Sequence, residues 1–152
     1  MREILFRGKL LNTEKWIQGF YCAMEATTYA VEEDYKNYPV PTHHCIAVDE
    51  MTDWGLPNKL VLYEVDSATV GQFTGLTDKN GKKIFEGDII KLLKCENDVC
   101  TLKDDNPNYY FQGKNGRYEI SEEPHNPECF EVIGNIYDNP ELLEAPQEDT
   151  HA

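Results

Sequence analysis

The sequence predicts a mainly β protein of two small β sublobes with short helical turns, and three observations predict it. Asn-Gly dipeptides at Asn80-Gly81 and Asn115-Gly116 each sit between segments of aromatic and β-branched residues, and Asn-Gly accepts the positive φ values that a type I′ hairpin turn needs. Glu86-Gly87-Asp88 is a further reversal, followed by Ile89-Ile90-Lys91-Leu92-Leu93, an apolar run of strand length but short for a helix. Leu60-Val61-Leu62-Tyr63-Glu64-Val65 is the third signal, rich in the residue types that suit a pleated, half-buried surface.

Taken in order, Ile4 to Gly8 and Lys15 to Tyr21 read as two strands joined by a turn at Asn12 and Thr13. Period-two counting puts Trp16 and Phe20 on one face, which is the candidate core of the N-terminal sublobe. Thr27-Thr28-Tyr29-Ala30-Val31 reads as a weak strand, Glu32-Glu33-Asp34 as a solvated loop, and His43 to Val48 as a strand. Asp66 or Ser67 caps one helical turn before Gly71, which places the boundary between sublobes near Asp66: residues 1–66, then 67–144, then an acidic tail at 145–152. Residues 95–127 are the least orderly stretch, apart from a hairpin around Asn115-Gly116. Phe130 to Tyr137 is a strand in which Gly134 implies a bulge, and Asp138-Asn139-Pro140-Glu141 opens a short closing helix.

At 152 residues the chain is one domain's worth or two small lobes. Its hydrophobic fraction of 40% and aromatic fraction of 11%, with nine Tyr, argue against disorder despite the charge. Twenty-eight Asp and Glu against 14 Lys and Arg leave a formal charge of −14. Such a surface repels phosphate backbones, so direct nucleic-acid binding is not expected. The only candidate basic patch is Lys79, Lys82, Lys83, Lys91 and Lys94. The start of the chain lacks the apolar core of a signal peptide, and no apolar run reaches the ~18 residues that span a bilayer, so a cytoplasmic location is expected. Cys22, Cys45, Cys95, Cys100 and Cys129 are an odd set without a secretion signal, which favours reduced thiols.

Three blocks, MREILFRGK at residues 1–9, VGQFTGLTDKNGKKIFEGDII at 70–90 and EVIGNIYDNPELL at 131–143, resemble the signature of the YopX family of phage and prophage proteins in content, order and spacing. The resemblance implies a mostly β fold whose C-terminal part is an SH3-like barrel or meander, encoded by a phage or prophage and acting in the bacterial host cell. It implies no activity and no catalytic residues. Residues 93–130 contain no block of the family.

The chain has no phosphate-binding loop, dinucleotide fingerprint, His-Glu-x-x-His or Gly-x-Ser-x-Gly. The expected function is therefore a non-catalytic protein-interaction module, self-associating or bound to a basic partner, that uses surface tyrosines and carboxylates. The rival class is a small metal-dependent domain or enzyme. Its centre is either a carboxylate pair or the set Cys95, Cys100, His125 and Cys129, in which three thiols and one imidazole fall in two close pairs suited to a structural zinc site. The gap between the pairs is long and neither is a tight Cys-x2-Cys knuckle, so free thiols are the competing reading. His43, His44, Cys45 and Cys22 form a weaker cluster, because neighbours on a strand point to opposite faces and His44 is turned away from His43 and Cys45.

Overall fold

A computed structural model describes residues 3–105, 108–120 and 126–144. The tail at 145–152 and His125 lie outside the described residues. The chain is mainly β, in antiparallel sheets, and divides between Gln72 and Phe73 into two compact units, Glu3 belonging with the second.

The N-terminal unit is a sheet in the order β4-β3-β2-β1, built from β1 (Phe6–Lys9), β2 (Trp16–Glu25), β3 (Thr42–Glu50) and β4 (Lys59–Glu64). Gly71 and Gln72, the first residues of β5 (Gly71–Thr77), pair with Arg7 and Phe6 on the far side of β1. The β1–β2 turn is closed by Thr13 N–H donating to Leu10 O (3.1 Å), with Asn12 left-handed at φ 60, a conformation Asn tolerates. Asp66 accepts from Ala68 N–H (3.0 Å) and caps a single 3-10 turn at Ser67–Thr69. Thr27 to Val31 forms no strand. The acidic run that reads as loop is instead the first turn of α1 (Glu32–Asn37), whose carboxylates complement the partial positive charge of a helix N-terminus while every residue stays out of the core.

Trp16 and Phe20 do share a face, but it is the outer one. Phe20 is 65% exposed, whereas Ile46 and Val65, with the opposite parity, are buried. Alternation fixes which residues share a side of a strand, and both sides of this strand carry aromatics.

The C-terminal unit continues β5 from Phe73 into a hairpin with β6 (Lys83–Phe85). It adds β7 (Asp88–Leu92), β8 (Asp98–Asp105), β9 (Asn108–Gly113), β10 (Gly116–Glu119) and β11 (Phe130–Asn135) in the order β10-β9-β8-β7-β11. This sheet is open, where the resemblance implied an SH3-like barrel or meander: among the described residues its end strands β10 and β11 share no hydrogen-bonded ladder, and Phe111 of β9 packs against Phe130 of β11 with ring centroids 5.3 Å apart. Leu76, Ile84, Ile90, Leu92, Cys100, Leu102 and Phe111 form the core. The predicted bulge appears as a register shift between Val132 and Gly134, and the closing helix as α2 (Glu141–Glu144).

Neither Asn-Gly forms the type I′ turn that its sequence suggests. At Asn80-Gly81 only Gly81 has positive φ (+77), and Gly81 N–H donates to Asp78 O (3.0 Å), the arrangement of a type I turn followed by one left-handed residue. The Asp78 carboxylate selects it by accepting from the backbone N–H of Asn80 and of Lys82, each at 2.9 Å. Gly116 pairs with Gly113, so Lys114 and Asn115 make the second connection. Two successive left-handed residues occur instead at Glu96 (φ 57) and Asn97 (φ 55), where Asp98 N–H closes the β7–β8 turn on Cys95 O at 3.0 Å.

Candidate interaction surface

Strand register assembles the outer face of the N-terminal sheet. Phe20 lies opposite Ala47 and Ala47 opposite Leu62, so these three form one row across β2, β3 and β4. Leu60 lies opposite Asp49, Met24 opposite His43, and Cys22 opposite Cys45, which faces Glu64 in turn. Phe20 (65%), Leu60 (67%), Leu62 (49%) and Met24 (44%) are all exposed. Clustered apolar side chains left in water mark a contact surface more often than a scattered few do. Asp49 and Glu64 border the row, and His43 Nδ1 lies 3.0 Å from Glu64 Oε1. Residues 4–72 carry ten Asp and Glu against five Lys and Arg. Two of those basic residues are engaged at the β1 end of the face, where the Arg7 guanidinium and the Lys9 ammonium sit 4.7 and 5.5 Å from the Trp16 ring centroid. Trp16 is thus covered by cations, and the free aromatic of this face is Phe20.

The C-terminal unit holds a groove of about 480 Å³ with an apolar wall of Leu92, Phe111, Tyr118, Ile120 and Phe130. Cys95 and Cys129 both line it. Cys100 does not. It is fully buried, and burial, with the nearby Asp98 and Cys95, pushes its thiol up to about 12. Among the described residues no group of three or more His, Cys, Asp or Glu is placed to hold a metal ion. Arg117 at the rim is tied to Asp105 (2.8 Å) and Glu119 and stacks on Tyr110 (3.8 Å to the ring centroid). Of the five lysines of the candidate basic patch, Lys79 pairs with Glu131 (3.5 Å) and Lys83 with Glu3 (3.1 Å).

Behind the groove, Asp98 is 1% exposed. Its Oδ2 accepts from Tyr118 OH (2.9 Å) and Asn115 N–H (3.2 Å), while Oδ1 is buried without a hydrogen-bond partner. The bond from Tyr118 is the main reason its phenol is pushed up to about 12. A buried aspartate at an inward position of β8 also explains why this strand is illegible in the sequence.

The sequence blocks at 70–90 and 131–143 are spent on the fold of the C-terminal unit. Asp78 Oδ2 accepts from Val132 N–H (3.1 Å), which joins the β5–β6 turn to β11. Asp88 Oδ2 caps Phe85 N–H (2.8 Å), and Ile136 N–H donates to Gly87 O (2.9 Å). Asn135 Oδ1 accepts from Tyr137 and Asp138, and Asn139 Oδ1 returns to Asn135 N–H (3.3 Å). Side chains are excluded at two points: a Cβ on Gly87 would lie 2.9 Å from the Tyr137 ring, and one on Gly134 2.6 Å from Asn139 Oδ1. The family model described as YopX protein matches residues 5–144. The chain belongs to the YopX family. No curated protein matches it. Among solved structures it is similar to protein EF1440 from Enterococcus faecalis, at 18% identity and a TM-score of 0.49, covering 94% of this chain and 99% of that one. The best-marked residues of this YopX chain are therefore turn and strand-joining groups. The exposed row at Phe20 lies outside all three blocks, and its alternation is the same as that of an inward-facing row.

Proposed function

We propose that this YopX chain is a phage- or prophage-encoded, cytoplasmic, non-catalytic protein-interaction module that holds a basic partner protein on the outer face of its N-terminal sheet. One observation carries the reading: Phe20, Leu60 and Leu62 stand exposed in register beside Asp49 and Glu64. Apolar area supplies contact energy at about 25 cal/mol per Å² removed from water. The bordering carboxylates steer a positively charged partner and set its orientation. The absence of catalytic motifs in the sequence and the charge of −14 agree with it.

The test is capture of proteins from nuclease-treated host lysate by tagged wild-type chain and by the double variant Phe20→Asp, Leu62→Asp. A basic protein held by the wild type, released by salt and absent with the double variant supports the reading. Equal capture by both, or none by either, refutes it. A structural zinc site is a second reading, favoured by one observation: Cys95 and Cys129 open onto the same groove. Stoichiometric zinc in protein purified without added metal supports it, and metal-free folded protein removes it.

A further inference from the structure

Cys22 and Cys45 are direct cross-strand partners on β2 and β3. Antiparallel partners stand about 4.5–5.5 Å apart at Cα, inside the roughly 4.4–6.8 Å range that a disulfide spans. As direct cross-strand partners, they carry their side chains on the same face of the sheet. Both are free. Cys45 is 6% exposed, whereas Cys22 is half-buried and open to small reagents. Neither thiol belongs to the groove or to the family blocks.

We infer that Cys22 and Cys45 are a redox-active dithiol that closes into an intrachain disulfide when a low-molecular-weight disulfide is supplied. The Cys22 thiolate attacks one sulfur of the oxidant, forms a mixed disulfide and expels the first small thiolate. The Cys45 thiolate then attacks Cys22 Sγ, the mixed disulfide breaks, and the second small thiolate leaves. Two protein thiols are oxidised, one disulfide is reduced to two small thiols, and the two protons go to the leaving groups. The bridge ties β2 to β3 between the Phe20–Ala47 and Met24–His43 pairs. The resolving thiol is held opposite the attacking one by the ladder itself, so closure is intramolecular and outruns capture by a second small thiol.

The experiment treats the folded full-length chain with oxidised glutathione, alkylates the remaining thiols and maps tryptic peptides. Cys22 falls in the peptide 16–36 and Cys45 in 37–59, each the only cysteine of its peptide. The expected result is a linked 16–36/37–59 pair, loss of two of the five free thiols and no retained glutathione. The same linkage is expected in a Cys95→Ser, Cys129→Ser background, and Cys45→Ser is expected to stop at Cys22 carrying glutathione. Glutathione held on Cys22 in the wild type, or bridges that involve only Cys95, Cys100 or Cys129, would overturn the inference.

Discussion

Replacing Asp78 by Asn leaves the volume of the side chain almost unchanged and removes its charge. Asp78 is 2% exposed, and its two oxygens serve three backbone donors: Asn80 and Lys82 at 2.9 Å and Val132 at 3.1 Å. A hydrogen bond to a charged acceptor contributes roughly 1.5–3 kcal/mol net. The three are not additive here, because Asn80 and Lys82 are exposed and their N–H groups turn to water when the acceptor is lost. Val132 is the donor that suffers. It sits in a strand beside the bulge, and the amide introduced by Asp78→Asn would face it with an NH2 group if its oxygen kept the turn. The expected loss is about 3 kcal/mol, a large part of the ~5–15 kcal/mol that holds a domain together. With a urea m-value of roughly 1–3 kcal/mol/M, the midpoint falls by about 1–3 M.

The pH dependence follows from the same contacts. Burial raises the Asp78 carboxyl, but the backbone donors from Val132, Lys82 and Asn80, aided by the Lys82 charge, bring it on balance below the usual aspartate value. A depressed folded-state pKa contributes stability that is complete above the unfolded value near ~3.9 and is lost as pH falls through the folded value. The gap between wild type and Asp78→Asn should be full at neutral pH and narrow below pH ~4. Urea unfolding at both pH values measures it. A variant within about 0.5 kcal/mol of wild type at neutral pH, the ordinary scatter of surface changes, refutes the reasoning; an undiminished gap in acid refutes its electrostatic half.

Three further outcomes are expected. Gly81→Ala and Gly87→Ala both place a side chain at positive φ, but Gly81 faces open space while a Cβ at Gly87 meets the Tyr137 ring at 2.9 Å; the first should cost about 1 kcal/mol and the second at least ~1 kcal/mol more by chemical denaturation. In ultraviolet titration one tyrosine should ionise near 12, and Asp98→Asn should bring that phenol, Tyr118, back toward the ordinary range; an unchanged titration curve would deny the Tyr118–Asp98 hydrogen bond its role. Phe20→Asp, at a side chain 65% exposed, should leave the stability within about 0.5 kcal/mol of wild type, whereas a large drop would show that Phe20 belongs to a core.

The sequence by itself determined the fold class, the strands at β1, β2, β3, β4, β7, β9, β10 and β11, the cap at Asp66, the bulge at Gly134, the closing helix and the family. Each rests on a local property: β propensity, a capping oxygen, a glycine where the backbone departs from regular pairing, or a run of residues long enough to be diagnostic. Tertiary structure decided the rest. Which side of β2 is inner depends on what covers it, and alternation is blind to that, so Phe20 reads as core and stands in water. The Asn80 turn changes type because Asp78 presents its carboxylate to two N–H groups. β8 is illegible because one of its inward residues is Asp98, satisfied on one oxygen by Tyr118 and Asn115 from a neighbouring hairpin. The pairing of Cys22 with Cys45 is a matter of register between strands separated by a helix and two loops. Spacing along a chain carries no register of that kind, because it is set by the sum of contacts across the whole sheet.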